Sequence, residues 1–269
     1  MRGDPTSPEK NWKPGPRSLP HPVAILAALS SDRRPHASQP PRRPMGLPRY
    51  GLARDGPVAV GYGARPMPSE RVIVFCKAPR PGFVKTRLAG SLGPEAACAT
   101  YRALTEKVLS QISGVEWVQL RHTPDEAREE IAPWKRHPCW TLEPQGPGDL
   151  GERMARAFQS EFDVGTDRVV LIGTDTPELL ETDLHEALDA LRRHDVVLGP
   201  SLDGGYWLIG LSEPHPRLLE GIDWSTPAVL QQTLQKATVE GLQVHLLRVL
   251  ADIDTGEDLS AYQQRVGMR

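Results

Sequence analysis

Two short runs decide the class of fold. Arg71–Cys76 (RVIVFC) and Arg168–Ile172 (RVVLI) are almost wholly apolar and rich in β-branched residues. That is the pattern of strands covered on both faces. The segments between them supply the covers. Pro94–Ile112 opens on a proline suited to a first helical turn and sets Tyr101, Leu104, Val108 and Ile112 on one stripe. Asp149–Phe162 aligns Leu150, Met154, Ala157 and Phe158, and Thr182–Arg193 aligns Leu184, Ala187, Leu188 and Leu191. Further strands are expected at Glu116–Leu120, Cys139–Leu142, Asp195–Leu198, Tyr206–Leu211 and Gln243–Val249, and further helices at Asp125–Ile131, Pro227–Val239 and Gly256–Gln264. The alternation predicts an α/β fold: a single three-layer α/β/α domain around a mostly parallel sheet.

The first part of the chain does not share this pattern. Met1–Glu70 holds 14 of the 27 prolines and 11 Lys+Arg against 5 Asp+Glu, a local charge of +6. From Arg71 onward there are 21 basic and 29 acidic residues, a charge of −8. A proline-dense basic segment without periodicity cannot bury enough apolar surface to offset its ordering entropy. Residues 1–68 are therefore expected to be a disordered Pro/Arg-rich extension, and 69–269 the folded domain. Its basic residues are scattered among prolines rather than clustered, so no nucleic-acid partner is expected. The best apolar run, Val23–Leu29, is too short to span a membrane. Three widely spaced cysteines, Cys76, Cys98 and Cys139, form neither a disulfide framework nor a zinc pattern. A reduced, cytoplasmic location is the expectation.

In parallel α/β sheets the ligand sits beyond the carboxyl ends of the strands, so the residues just after each strand are the ones to inspect. After the first comes Lys77-Ala-Pro-Arg-Pro-Gly-Phe-Val-Lys85-Thr-Arg87-Leu, with cations and a glycine that suit a polyphosphate. A solvated basic loop is the alternative. It is not a P-loop, because Val84 stands where Walker A requires glycine. After RVVLI comes Gly173-Thr-Asp175-Thr-Pro, where Asp175 could hold a divalent cation or simply cap a turn. Asp203-Gly204-Gly205-Tyr206-Trp207 joins a hairpin-type turn to two aromatics that could stack on a ring. Near the end, Asp252 and Asp254 share one face of an extended chain, while Thr255 and Asp258 can make a capping box. His185, His194, His215 and His245 show no ligand spacing and read as structural.

Taken in order, these segments resemble the nucleotide-diphospho-sugar transferase superfamily of GT-A type. Lys77-x-Pro-x-Pro-Gly-x-Val-Lys-Thr-Arg-Leu, Gly148-Asp-Leu-Gly-Glu-Arg-Met, Gly173-Thr-Asp-Thr-Pro and Ser201-Leu-Asp-Gly-Gly-Tyr-Trp look, more narrowly, like the radical-SAM/selenodomain-associated transferases, a domain of unknown function. The resemblance runs from about Arg71 to Gln264.

It implies a transferase that uses a nucleotide-activated donor, a small-molecule acceptor and Mg²⁺ or Mn²⁺. Glycosyl transfer from a nucleoside-diphosphate sugar is the leading expectation. Nucleotidyl transfer to a phosphorylated small molecule and a non-catalytic nucleotide-binding domain are the alternatives. Lys77, Lys85 and Arg87 match phosphate-contacting cations, and Gly148, Asp149 and Leu150 match the turn that faces base and ribose. Asp175, Asp252 and Asp254 match the metal-binding acids. Gly204, Gly205 and Tyr206 match the acceptor side, with Asp175 and Asp203 as the catalytic pair. Sugar transferases usually carry Asp-x-Asp where this chain has the single acid of Asp175-Thr-Pro, which keeps the nucleotidyl alternative open.

Overall fold

The computed structural model describes residues 69–267. The expected extension and the Val23–Leu29 run lie outside the described residues. The strands are β1 (Glu70–Lys77), β2 (Val118–Thr123), β3 (Thr141–Pro144), β4 (Arg168–Ile172), β5 (Val196–Pro200), β6 (Tyr206–Leu211) and β7 (Val244–Leu246). They form a sheet in the order β3-β2-β1-β4-β6-β5-β7. Neighbours run parallel except around β6, which is antiparallel to both β4 and β5.

Strand alternation sends two sets of side chains to opposite faces. Val72, Val74 and Cys76 of β1 join Val170 and Ile172 of β4 in one core. It is covered by α2 (Pro94–Gln111) and α5 (Glu181–Ala190), through Val108, Leu109, Leu184 and Ala187. Ile73, Val169, Leu171, Ile209 and Leu211 face the other way, under α4 (Leu150–Asp163) and α7 (Val229–Val239). Met154, Ala157, Phe158, Leu230 and Ala237 fill that second core. This is the three-layer α/β/α arrangement expected from the two apolar strands. No helix among the described residues is long and apolar enough to cross a membrane.

Three details depart from the sequence reading. The basic loop after β1 runs into a helix, α1 (Thr86–Leu92), whose Leu88 is fully buried. The second strand is displaced toward the C-terminus, because it pairs with β1 from Val72↔Val118 to Lys77↔Thr123. Its polar residues disguised it: Gln119 and Arg121 are buried, and they bond to each other and to α4. Gln119 donates to Glu161 at 2.7 Å, and the same carboxylate takes Arg71 at 2.9 Å. Buried polar groups that are paired in this way belong in a strand without carrying the apolar signature. Finally, the helix expected at Asp125–Ile131 shrinks to α3 (Arg128–Ile131) followed by a 3₁₀ turn at Ala132–Trp134. Two more helices complete the chain, α6 (Pro216–Leu219) and α8 (Gly256–Gly267).

The reversal of β6 brings its start to the ligand side of the sheet. Tyr206 is its first residue, so it emerges at the same edge as the last residues of β1, β4 and β5. The basic loop, the Asp175 loop, the Asp203 turn and the acidic stretch after β7 all open onto this edge.

Candidate active site

A cavity of about 700 Å³ lies along that edge. Of the residues marked by the sequence, Lys77, Lys85, Arg87, Gly148, Asp149, Leu150, Asp175, Asp203, Gly205, Tyr206, Asp252 and Asp254 all line it. Gly204 does not. Its φ is +89°, and an added Cβ would stand 2.3 Å from the Pro227 carbonyl oxygen, so its bareness serves close backbone packing behind the wall.

The loop after β1 is pinned by Val84 and Leu88, both buried, which throws Lys85 inward at the start of α1. Lys85 adopts a left-handed backbone to do so, φ 47° and ψ 47°. Its ammonium lies 2.6 Å from Asp175 Oδ1 and 2.8 Å from Asp254 Oδ1. The lysine side chain is 4% exposed, whereas the two carboxylates are 45% and 39% exposed. Burial pulls the ammonium's pKa down, but Asp175 and Asp254 outweigh it and hold it above the ordinary lysine value. In this geometry Lys85 bridges the two acids at the edge of the cavity, a duty beyond the phosphate contact expected of it. Arg87 remains open, 63% exposed and 3.8 Å from Asp254 Oδ2. Arg80 turns away to Glu126 and Glu130 on the side of α3.

The acids reach the site by separate routes. Asp175 stands three residues beyond the end of β4. The segment after β7 is docked beside it, with Ile253 donating its amide to the Asp175 carbonyl at 3.0 Å. Ile253 is fully buried, so Asp252 and Asp254 flank it on the other side of an extended stretch. Asp254 turns to Lys85, and Asp252 takes a hydrogen bond from the Thr176 hydroxyl. Burial pushes the Asp252 carboxyl up to about 7; the charges of Asp203, Asp175 and Asp254 add to the rise, and the Thr176 bond opposes it. Among the described residues no three such groups stand together as a ready-made metal centre. The expected trio of Asp175, Asp252 and Asp254 is thus a Lys85-bridged pair plus a neighbour held by Thr176. The capping box forms as well, with Asp258 accepting from the Thr255 amide and hydroxyl.

Two expected ligand contacts have structural duties. Asp149 caps α4: its carboxylate accepts from Glu152 N at 2.9 Å while Glu152 accepts from Asp149 N at 2.9 Å. Asp203 Oδ1 accepts from the Ser201 hydroxyl at 2.5 Å and from Gly205 N at 3.0 Å, which fixes the turn into β6. Trp207 also lines the cavity but is nearly all buried. Strand alternation turns it opposite to Tyr206, where its indole N–H donates to the Arg248 carbonyl at 3.2 Å and its ring fills the space that Gly199 leaves.

The sequence reading missed several lining residues. Tyr101, placed on a core stripe, reaches the edge with its hydroxyl, which accepts from Lys77 N at 2.7 Å. Gln145 and Arg153 line the cavity near Gly148, and Trp224, Ser225 and Thr226 form its far side. A tryptophan among hydroxyl residues in the short loop before α7 was the available signal.

Comparison with known proteins places the chain in a family. Residues 109–226 match the model of a family described as uncharacterized protein conserved in bacteria (DUF2064). The crystal structure of a protein from Desulfovibrio desulfuricans G20, provisionally named a nucleotide-diphospho-sugar transferase, is 34% identical with a TM-score of 0.70. The match covers 74% of this chain and 88% of that one. The chain belongs to the DUF2064 family. Other solved structures resemble this DUF2064 protein more distantly. A cytidylyltransferase from Leptospira borgpetersenii is 14% identical over 75% of this chain and 88% of its own, with a TM-score of 0.48. The inositol-1-phosphate CTP transferase from T. maritima is 17% identical over 73% and 94%, with a TM-score of 0.47. No curated protein matches the chain.

Proposed function

We propose that this DUF2064 protein is a metal-dependent transferase that takes a nucleotide-activated donor, with glycosyl transfer to a small acceptor as its reaction. The observation that carries the reading is the convergence of Asp175 and Asp254 on one cation, Lys85, at the mouth of a cavity that also presents Lys77 and Arg87. The name of the Desulfovibrio relative supports it, and so does the resemblance of the Lys77, Gly148, Gly173 and Ser201 motifs to radical-SAM/selenodomain-associated transferases.

The donor set fits a divalent ion. Carboxylate oxygens are the hard ligands that Mg²⁺ and Mn²⁺ take, and one or two of them suffice when substrate phosphates complete the shell. Asp175 and Asp254 would hold the ion, with Asp252 alongside. When bound, it would offset negative charge as the leaving group departs. The chain's own part is clearer. Lys85 keeps two like-charged carboxylates side by side, and Arg87 and Lys77 draw a polyphosphate to the edge. Asp203, fixed through Oδ1, is left with a second oxygen that can take a proton from an acceptor hydroxyl.

Nucleotidyl transfer is the second reading, favoured by the residue beside Asp175: Thr176 is turned to Asp252, and no Asp-x-Asp pair follows β4. The two reactions leave different products. Incubation with Mn²⁺, pooled sugar nucleotides, nucleoside triphosphates and candidate acceptors, with assays for nucleoside diphosphate and pyrophosphate, tells them apart. Nucleoside diphosphate release is expected. Pyrophosphate without turnover of any sugar nucleotide would overturn glycosyl transfer.

A further inference from the structure

The far side of the cavity differs in character from the charged edge. Among the described residues only Lys85 and Ser225 are non-glycine residues with a left-handed backbone, and both line this cavity. Ser225 has a φ of 64°. Such strain persists only where the surroundings hold it, and here they do. The Gln232 amide brackets Asp223, accepting its backbone N–H at 2.8 Å and donating to its carboxylate at 2.7 Å. Thr226 donates its hydroxyl to the Asp223 carbonyl at 2.7 Å. The loop is also locked to the turn that carries Asp203: Leu230 donates to the Gly204 carbonyl at 2.9 Å, and Gly204 packs bare against Pro227. The two loops make one fixed wall.

On that wall Trp224 stands edge-on to Tyr206, with centroids 6.4 Å apart at 86°. Gly151 of α4 leaves room for the indole, since a Cβ there would lie 2.9 Å from Trp224 Nε1. Ser225 and Thr226 flank it, and Asp203 is the acidic side chain of the two loops that lines the cavity, Asp223 being taken up by Gln232. An apolar ring edged by hydroxyls and a carboxylate suits a ring with C–H groups on its face and hydroxyls on its rim. A lone carboxylate, with no cation on the wall, repels a phosphate or another anion.

We propose that Trp224, Ser225, Thr226, Tyr206 and Asp203 form a subsite for a neutral hydroxylated ring, a sugar, distinct from the charged edge that takes the diphosphate. The proposal deepens the transferase reading and rests on it. It assigns the uncharged half of the reaction to the wall and excludes a phosphorylated occupant there.

Calorimetric titration with UDP, GDP, UDP-glucose, GDP-mannose and a pool of free neutral monosaccharides tests it, in the wild type, Trp224→Ala and Trp224→Phe, with circular dichroism to confirm folding. A sugar nucleotide should bind about tenfold tighter than its parent diphosphate, or the free sugars should bind measurably. Trp224→Ala should abolish that sugar-dependent gain and leave diphosphate affinity within about twofold, and Trp224→Phe should keep most of the gain. A gain that survives in Trp224→Ala overturns the proposal, as does a loss of diphosphate affinity equal to the loss for the sugar nucleotide. If the wild type binds diphosphates and gains nothing from any sugar, the subsite falls and the transferase reading stands. If no nucleotide binds, the transferase reading falls, while a free-sugar response lost in Trp224→Ala still supports the wall.

Discussion

The amide of Ile253 donates to the carbonyl of Asp175 at 3.0 Å, joining two segments 78 residues apart in the chain. Through this bond the acidic stretch after β7 lies against the loop after β4, and Asp254 comes to share the Lys85 ammonium with Asp175. The charged edge is therefore assembled by backbone docking and a buried isoleucine, and the Asp175 and Asp254 carboxylates stay partly exposed. Side-chain changes among the acids should then alter binding more than folding.

Asp175→Asn tests that separation. The substitution keeps the size and removes the charge, while Asp254 still pairs Lys85. A partly exposed ion pair is worth about 1 kcal/mol or less, so the melting temperature should move by only a few degrees. Mn²⁺-dependent binding of a nucleoside diphosphate should weaken by about tenfold or more in calorimetry. An Asn variant that binds metal and nucleotide as the parent does would reduce Asp175 to a turn residue.

Lys85→Met distinguishes a clamp from a phosphate ligand. Removing the ammonium leaves Asp175 and Asp254 facing each other without a counter-charge, which favours any divalent cation that can take its place. Mn²⁺ alone should bind the variant more tightly than the parent, by about tenfold, when followed by electron paramagnetic resonance. Unchanged Mn²⁺ affinity together with lost diphosphate binding would return Lys85 to direct phosphate contact.

The fold was legible because its strands are extreme. RVIVFC and RVVLI admit little but a doubly covered sheet, and the helical stripes between them agree. β2 was harder, since Gln119 and Arg121 are buried with partners on α4, and those partners lie far away in the chain. The site was legible as a set of strand ends but not as a wiring diagram. The turns held by Asp149 and Asp203 are local, through Glu152 three residues on and the Asp203-Gly204 turn, but nothing local says that Lys85 would bridge two acids. That bridge depends on contacts such as Ile253 to Asp175 that no periodicity encodes.

Gly204→Ala probes the fixed wall without touching a cavity-lining side chain. The residue sits at φ +89°, and the new Cβ would meet the Pro227 backbone at 2.3 Å, where no side chain can swing aside. A left-handed non-glycine residue costs about 1–2 kcal/mol before any clash. The melting temperature should fall by at least about 4 °C. A variant as stable as the parent would mean that the two loops are free to separate.

The pH dependence of stability carries the signature of Asp252. Burial raises its carboxyl to about 7 in the folded protein, whereas the unfolded chain titrates near the ordinary value of about 4. Between those limits the folded state binds more protons than the unfolded one, so stability falls as pH rises. The contribution is complete below about pH 4, is lost progressively up to about pH 7, and is flat beyond. Thermal melts from about pH 4 to 8, in a metal-chelating buffer so that no ion competes for the carboxylate, should show this decline against the background of the other groups. Asp252→Asn, neutral throughout, should flatten it while leaving the acid end little changed. An Asn variant whose melting temperature follows the parent's at every pH would mean that Asp252 stays ionised in the fold, with the Thr176 hydroxyl outweighing its burial.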